Sequence, residues 1–264
     1  MSARLSRITL FPVKSLDGVD VGEVRVNGGA GLDHDREYRL ADADGATING
    51  KRVGERLIRI RSSFDLAFGE LRAQDGDDIL TARLPDEAER VAEWFGDRIG
   101  FKARVERDAE KGFPDDEEAS GPTVISRATL AAAGGWFGVD EDEMRRRIRA
   151  NLEIDGVPAF WEDRLYGTED PPLWFRLGET RIEGVNPCAR CTVPTRDSRN
   201  GEIAEPKFAK LFAEHRRETL PDWAEASRFD HFYRLAVNTR IPEGEGGKVL
   251  SVGDELRLEA PDDQ

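Results

Sequence analysis

Short runs of alternating hydrophobic and polar residues dominate the first hundred positions of the chain. Strands are predicted by these runs at 7–11, 23–26, 38–41, 47–48, 57–60, 64–68 and 79–82. Asp-Gly and Gly-rich turns separate these runs at 17–18, 28–29, 44–45 and 75–76. Such turns are typical of hairpins. We therefore expect this half of the chain to be rich in β structure.

One segment of the first half breaks the alternation. Apolar residues from Val91 to Ile99 recur at helical spacing, and Pro85 suits a first helical turn. The pattern predicts an amphipathic helix over 85–100 that closes an N-terminal unit. The next stretch, 106–119, is charged and turn-rich, which indicates a loop or lid at a domain boundary.

The second half mixes helices with short strands. Ser126 is a suitable N-cap for a helix over 128–133, and a second helix over 140–149 has acidic residues first and arginines last, matching the helix dipole. A further helix is predicted near 206–217, and strands are predicted at 123–125, 152–154, 173–177, 180–183, 192–195, 232–238 and 255–258. The fold class predicted is a β-rich α+β protein, barrel-like, in two connected units.

Composition and charge narrow the classes of function. A hydrophobic fraction of 38% is sufficient for a folded core, and 53 acidic against 39 basic residues give a net charge of −14. An acidic surface repels phosphate backbones, so we expect no nucleic-acid partner. Neither an apolar leader nor a membrane-length apolar run is found, so we expect a soluble, cytoplasmic protein without a membrane partner. Composition says nothing about oligomeric state.

Both cysteines of the chain lie in one short segment, 186–195, with Arg190 between them. A thiolate is the reactive and ligating form of cysteine, and an adjacent guanidinium favours it. One of the two sulfurs is therefore a candidate metal ligand or nucleophile. The alternative is that Cys188 and Cys191 are free thiols that pack as small apolar side chains.

Two other roles for the cysteine pair are disfavoured. A structural zinc site needs four ligands, and the chain's three histidines (His34, His215 and His231) lack finger-like spacing. A thioredoxin-type pair begins a helix, whereas 192–195 is β-branched and interrupted by proline, which predicts extended chain. What remains is a single thiolate presented from an extended loop.

Six short motifs follow one another along the chain in a recognisable order. They are Phe11-Pro12-Val13-Lys14-Ser15, Gly31-Leu32-Asp33-His34-Asp35-Arg36, Ile148-Arg149-Ala150-Asn151-Leu152, Glu162-Asp163, the segment 187–197 and Val252-Gly253-Asp254. Together they resemble the MOSC proteins, relatives of the C-terminal domain of molybdenum-cofactor sulfurase and of the amidoxime-reducing components. The resemblance spans nearly the whole chain and implies an N-terminal MOSC β-barrel domain over 1–110 and a MOSC β-barrel domain with peripheral helices over 111–264.

The resemblance also implies a site. In the family a molybdenum–molybdopterin cofactor lies between the two domains, and the second cysteine ligates molybdenum, which carries over to Cys191 as metal ligand and catalytic residue, with Arg190 beside it. A soft thiolate suits a soft metal, and lysine, arginine and hydroxyl groups suit a phosphate. The implied cofactor-binding residues are Lys14, Ser15, Arg36, Ser120, Arg149, Asn151 and Arg190, of which Ser120 is the loosest match. Cys188 is assigned to packing.

The implied activity is reduction of N-hydroxylated small molecules, such as hydroxylamines, amidoximes and hydroxylated bases. A separate iron–sulfur or flavin protein would deliver the electrons. Glu162, Asp163, Asp33 and Asp35 are candidate proton donors, with a plain surface role as the alternative. Three other functions stay open: sulfur transfer through a persulfide on Cys191, cofactor carriage without turnover, and an unrelated non-enzymatic β scaffold. The segment 196–199 differs from relatives, which leaves the substrate open.

Overall fold

The computed structural model describes residues 2–259. Its strands are β1 Arg4–Leu10, β2 Val19–Val21, β3 Glu23–Arg25, β4 Tyr38–Ala41, β5 Arg61–Asp65, β6 Glu70–Asp75, β7 Asp78–Arg83, β8 Arg104–Arg107, β9 Val124–Ser126, β10 Leu152–Asp155, β11 Leu173–Leu177, β12 Thr180–Ala189, β13 Arg234–Arg240, β14 Val249–Ser251 and β15 Leu256–Leu258. Its α-helices are α1 Gly50–Val53, α2 Glu55–Ile58, α3 Ala88–Ile99, α4 Arg127–Gly135, α5 Glu141–Ile148 and α6 Phe208–Glu218. Short 3₁₀ helices cover Trp161–Leu165, Val193–Thr195, Ala226–Arg228 and Glu243–Glu245.

Eight strands form one large sheet in the order β15-β11-β12-β13-β9-β10-β1-β2. All neighbours pair antiparallel except β9 and β10, which run parallel. The sheet curls back on itself, because Leu5 N donates to Asp254 O at 2.8 Å and Leu256 N donates to Ala3 O at 2.9 Å. The result is a barrel whose interior is filled by apolar side chains such as Ile8, Phe175 and Val237.

A second unit contains the three-stranded sheet β5-β6-β7, the pair β4–β8 and helix α3. Helix α3 forms because Val91, Phe95 and Ile99 share one face, which is buried, and it ends at Gly100 with φ 87°. The helix predicted over 85–100 is thereby confirmed. Because β1 and β2 pair in the barrel sheet, the two units interleave along the chain, and the division between residues 110 and 111 stays a prediction.

Helices α4 and α5 lie outside the barrel, and α5 leads into the motif 148–152. The Ser126 hydroxyl accepts from Thr129 N at 3.1 Å, and the Asp140 carboxylate accepts from Glu143 N at 2.7 Å, so both helices begin at an N-cap. Helix α5 ends at Arg149, whose φ is 58°. Both predicted helices are confirmed, as is the β-rich α+β fold class with peripheral helices. None of the helices within residues 2–259 has the length and apolarity needed to span a bilayer.

Three predicted strands are wrong. The segment 47–48 contains only a single bridge, between Thr47 and Ala41. The segment predicted as a strand over 57–60 instead contains the end of helix α2 and the turn that follows it, with Leu57 and Ile60 buried. The stretch 192–195 forms a 3₁₀ turn in which Pro194 is buried and Thr195 Oγ1 donates to Thr192 O at 2.7 Å. Strand β6 was not predicted, because only Leu71 and Ala73 give it an apolar face.

Candidate functional site

A cavity of about 750 Å³ lies between the two units. The N-terminal unit contributes α1 and the segment 60–62, and the second unit contributes 145–150 and 186–191. The lining contains twelve arginine and lysine side chains against five aspartates, a basic surplus of seven in a chain whose net charge is −14. The local field therefore attracts anions although the whole protein is acidic.

Lys14 lies in the turn after β1 and is nearly buried. Its Nζ donates to Phe113 O and to Pro114 O, each at 2.9 Å, and lies 3.0 Å from Asp115 Oδ1. Burial lowers the pKa of Lys14, and the Asp115 carboxylate opposes that shift. The ammonium is thus held against the loop that follows β8.

Arg36 and Arg149 approach the cavity from opposite halves of the chain and meet at Phe11. Their guanidinium carbons lie 5.9 Å and 4.2 Å from the centre of the Phe11 ring. Arg36 is paired with Asp35, whose other oxygen accepts from Phe11 N at 2.8 Å. Burial lowers the pKa of Arg149 to about 10, so this side chain is still a cation at neutral pH.

Three of the predicted cofactor-binding residues have left-handed backbones. Ser15, Arg36 and Arg149 have φ values of 74°, 53° and 58°, a region that non-glycine residues rarely adopt. Such conformations cost of order 1–3 kcal/mol each, and they collect at ligand sites. All three residues line the cavity.

The two cysteines occupy different positions at the end of β12. Cys188 is within the strand and partly packs against the core around α4, α5 and α6, whereas Cys191 lies in the loop beyond it. Both line the cavity and both are free thiols. Val193 N donates to Cys191 Sγ at 3.4 Å.

Arg190 contacts the other sulfur. Its Nη1 donates to Cys188 Sγ at 3.1 Å and its Nη2 donates to Ile148 O at 2.5 Å. Its Nε is buried, with no hydrogen-bond partner in the described part of the chain. The guanidinium expected to act on Cys191 therefore hydrogen-bonds to Cys188, because the strand turns the two side chains at 188 and 190 toward the same cavity.

The remaining predicted residues separate into two groups. Ser120 lines the cavity, whereas Asn151 does not. Asn151 is fully buried, and its Nδ2 donates to Thr9 O at 3.1 Å while its Oδ1 accepts from Thr123 N at 3.3 Å. The amide thus braces β1 against β9 and supports the cavity wall from behind.

Sequence reasoning missed three residues of the site. Asp115 contacts Lys14, and Lys51 and Arg196 also line the cavity. In the sequence, the segment around Asp115 is noticeable only as an acidic run. No feature of the sequence predicts its contact with Lys14, which lies about a hundred positions earlier. Lys51 lies outside the six motifs, and Arg196 lies at the end of the segment 187–197, in the part that differs from relatives.

The Glu162-Asp163 pair is not a proton donor to the cavity. Their exposures are 1% and 3%, neither lines the cavity, and Asp163 is paired with the fully buried Arg216. Glu162 Oε2 accepts from Thr129 Oγ1 at 3.0 Å, and Oε1 has no partner within residues 2–259. Neither a proton-donor role in this cavity nor a plain surface role fits these two carboxylates, because the 3₁₀ helix turns both into the interior.

Burial, with the neighbouring Asp163, raises the pKa of Glu162 to about 7. In the unfolded chain this carboxyl has a pKa near 4.5. Its burial therefore destabilises the fold, by an amount that increases as pH rises from 4.5 to 7 and reaches about 3 kcal/mol. We expect Glu162→Gln to gain free energy of unfolding relative to wild type between pH 4 and pH 8. Denaturant unfolding at both pH values measures this, and the exposed Glu169→Gln should give no such pH-dependent difference.

The fold and the cavity define a β-rich two-unit protein with a cationic, thiol-bearing site between the units. The family model of the MOSC N-terminal beta barrel domain matches residues 2–120, and that of the MOSC domain matches residues 123–257. The chain belongs to the MOSC family, as its motifs predicted.

Curated relatives and solved structures extend the comparison. The chain is similar to the molybdenum cofactor sulfurases of Drosophila grimshawi (24% identity over 75% of this chain and 29% of the relative) and Caenorhabditis elegans (22%, 79% and 31%). It therefore spans about a third of the length of these relatives or less. Solved structures similar to it include the YuaD protein of Bacillus subtilis (TM-score 0.45, 11% identity, 99% of this chain and 98% of that chain) and YiiM of Escherichia coli (0.42, 11%, 99% and 72%).

Proposed function

We propose that this protein is a molybdenum-cofactor-binding oxidoreductase that reduces N-hydroxylated small molecules. The observation that carries the proposal is the cationic cavity that Cys191 lines together with Lys14, Arg36 and Arg149, side chains from distant parts of the chain. Such a cavity suits a ligand that combines a soft metal with an anionic group.

The polar groups of the cavity fit the phosphate of a pterin cofactor. Within residues 2–259, neither Arg149 nor Arg190 has a carboxylate oxygen within 4 Å of its guanidinium. Arg149 is anchored by one hydrogen bond, from Nη2 to Leu16 O at 2.6 Å, and the buried Arg190 Nε lacks a partner. The Arg149 guanidinium therefore keeps free donors, and it lines the same cavity as the Ser15 hydroxyl; guanidinium and hydroxyl groups bind phosphate well.

Cys191 would supply one thiolate ligand to the metal. Residues 2–259 contain no group of three or more histidine, cysteine, aspartate or glutamate side chains arranged to hold a metal ion, so the cofactor itself would have to supply the remaining ligands. When bound, the molybdenum centre supplies the two-electron chemistry of the reaction. Arg190 would help to orient the cofactor, and the cavity walls would orient substrate and restrict water.

The overall reaction needs an external source of electrons. Breaking the N–O bond of a hydroxylamine or amidoxime consumes two electrons and two protons and releases one water. A separate iron–sulfur or flavin protein would deliver the electrons, and solvent would supply the protons, since Glu162 and Asp163 are buried away from the cavity.

Sulfur transfer is the second candidate. The curated relatives are sulfurases by name, and the Cys191 thiolate could take a sulfane sulfur from a donor persulfide, releasing the donor thiol, and pass it to a metal centre as sulfide with two electrons from an external reductant. The same cavity would then receive a cofactor as the acceptor and release it after sulfur is transferred. A carrier that binds the cofactor without turnover would use the same residues.

Metal, pterin and sulfane-sulfur analysis separates these functions. The protein is purified from a host that makes molybdenum cofactor and is assayed with an aromatic amidoxime and a chemically reduced dye as electron donor. One molybdenum and one pterin per chain with amidoxime reduction supports the oxidoreductase. Stoichiometric cofactor without turnover indicates a carrier, and a persulfide on Cys191 without metal or pterin indicates sulfur transfer.

Removing the guanidinium of Arg149 should weaken cofactor binding. A charge-assisted hydrogen bond to phosphate contributes about 1.5–3 kcal/mol, so Arg149→Met should lower pterin affinity roughly tenfold to a hundredfold. Pterin content after dialysis measures the effect. Arg127→Met is the matched control, because Arg127 is exposed and outside the cavity. Equal pterin retention in both variants would contradict a role for Arg149.

A further inference from the structure

One carboxylate, that of Asp115, lies among the cations of the cavity. The Lys14 ammonium has three hydrogens, and its three acceptors are Phe113 O, Pro114 O and Asp115 Oδ1 at 2.9, 2.9 and 3.0 Å. Every donor of Lys14 is thus directed at three consecutive residues of one loop. The lysine best suited to bind a phosphate is already saturated by the protein itself.

The neighbouring cations also respond to Asp115. Burial by itself would lower the pKa of Arg36, but Asp35 and Asp115 together raise it. Burial lowers the pKa of Arg149, while Asp17 and, less strongly, Asp115 oppose that shift. Asp115 thus pairs with Lys14 and also helps to raise the pKa of Arg36 and Arg149, as an anionic ligand would.

The two members of the ion pair differ in access. The Lys14 side chain is 10% exposed, whereas that of Asp115 is 65% exposed. An anion that enters the cavity can meet Asp115 before it reaches Lys14. Replacing the carboxylate by another anion leaves the ammonium paired, so the exchange avoids the cost of an unpaired buried cation.

The loop that carries Asp115 is tied down at both ends. Phe113 N donates to Arg36 O and Gly121 N donates to Thr239 O, each at 2.9 Å. Gly112 has φ 64°, and a Cβ there would lie 2.7 Å from Asp35 O, so this position requires glycine. Between these anchors, Asp115 itself is paired with Lys14, and Arg240 Nε donates to Glu118 O at 2.9 Å further along the loop.

We propose that the Asp115 carboxylate is an internal substitute for the cofactor's phosphate: it pairs with Lys14 in the cofactor-free protein and is displaced when a phosphate binds. The inference rests on the proposed function for the identity of the ligand, a pterin phosphate monoester. The loop 113–116 then acts as a latch that keeps the cations paired and must open for loading. Competition from Asp115 lowers the affinity of the empty site for any phosphate.

Phosphate binding to cofactor-free protein tests this inference. The protein is produced in a host unable to make molybdenum cofactor and is titrated with inorganic phosphate at constant ionic strength, following the rise in unfolding temperature. Asp115→Asn should bind phosphate roughly tenfold more tightly than wild type, because the competing charge is removed. Glu117→Gln, which removes the same charge from an exposed position of the same loop, should stay within about twofold of wild type.

Two further variants make the result specific. Asp115→Glu keeps the competing charge and should bind phosphate as weakly as wild type. Lys14→Met added to Asp115→Asn should abolish the gain. An unchanged phosphate affinity in Asp115→Asn, or an equal gain in Glu117→Gln, would overturn the latch, and unfolding without phosphate verifies that each variant is folded.

The latch and the proposed function can fail separately. If wild type from a cofactor-producing host contains molybdenum and pterin while Asp115→Asn shows no gain for phosphate, only the latch is rejected. If Asp115→Asn gains phosphate affinity but wild type never acquires molybdenum or pterin, the anion site and its competitor stand and the assigned cofactor is rejected.

Discussion

Cys191→Ala should lose molybdenum while the protein stays folded. A soft metal held through one protein thiolate has no substitute ligand in the described part of the chain, where no metal-holding cluster of side chains exists. The side chain is half-buried in a loop, so its truncation should cost less than about 1 kcal/mol of stability. Metal analysis should give less than a tenth of the wild-type molybdenum, with pterin partly retained through the cationic groups.

Cys188→Ala is the matched control for this experiment. It removes the sulfur atom that lies three residues earlier. That sulfur also lines the cavity and accepts a hydrogen bond from Arg190. We expect molybdenum content close to wild type, because Cys188 is assigned to packing. Loss of molybdenum in Cys188→Ala with retention in Cys191→Ala would reverse the two roles, and equal retention in both would remove cysteine from the metal site.

Arg216→Met should strongly destabilise the fold. Arg216 is 1% exposed, pairs with Asp163 through Nη2 and lies over the Phe160 and Phe229 rings at 4.6 and 5.1 Å. Without it, a carboxylate stays buried and unpaired, which typically costs about 3–5 kcal/mol. Burial already raises the pKa of Asp163 despite Arg216. The loss of unfolding free energy should therefore be larger at pH 8 than at pH 5, measured by denaturant unfolding.

Two comparisons identify the buried pair as the cause. Arg217→Met removes the next, exposed arginine of α6 and should change stability by less than about 1 kcal/mol. Adding Asp163→Asn to Arg216→Met should recover part of the loss, because the orphaned charge is gone. A pH-independent loss with no recovery in the double variant would point to lost packing rather than charge.

Local features of the fold were predictable because their causes lie within a few residues. Helix α5 has an N-cap at Asp140 and charges that match its dipole, and α3 has a buried stripe at helical spacing. The end of helix α2 was mistaken for a strand because a short apolar run, Leu57, Ile58 and Ile60, fits both a strand and a helix. Closure of the barrel between β1 and the segment before β15 joins residues about 250 positions apart, which no local pattern encodes.

The motifs predicted which residues belong to the candidate site. They did not predict which of these residues contact one another. Lys14, Ser15, Arg36, Ser120, Arg149, Arg190 and Cys191 all line one cavity, and of the residues assigned to the site only Asn151 lies behind its wall. Which sulfur Arg190 touches and which carboxylate saturates Lys14 depend on how β12 turns and how the loop after β8 folds back.

By itself the sequence determined the fold class, most helices and strands, membership of the MOSC family and the importance of the two cysteines. These could be predicted because periodicity, capping residues and motifs are formed by residues that are close together in the sequence. The tertiary structure alone decided where charge is paired and where it is free. It gathers twelve cations in one cavity of an acidic protein, buries Glu162 and Asp163 away from it, and brings Asp115 to Lys14. Electrostatic pairing and desolvation depend on distance in space, and residues about a hundred positions apart in sequence become neighbours only when the chain folds.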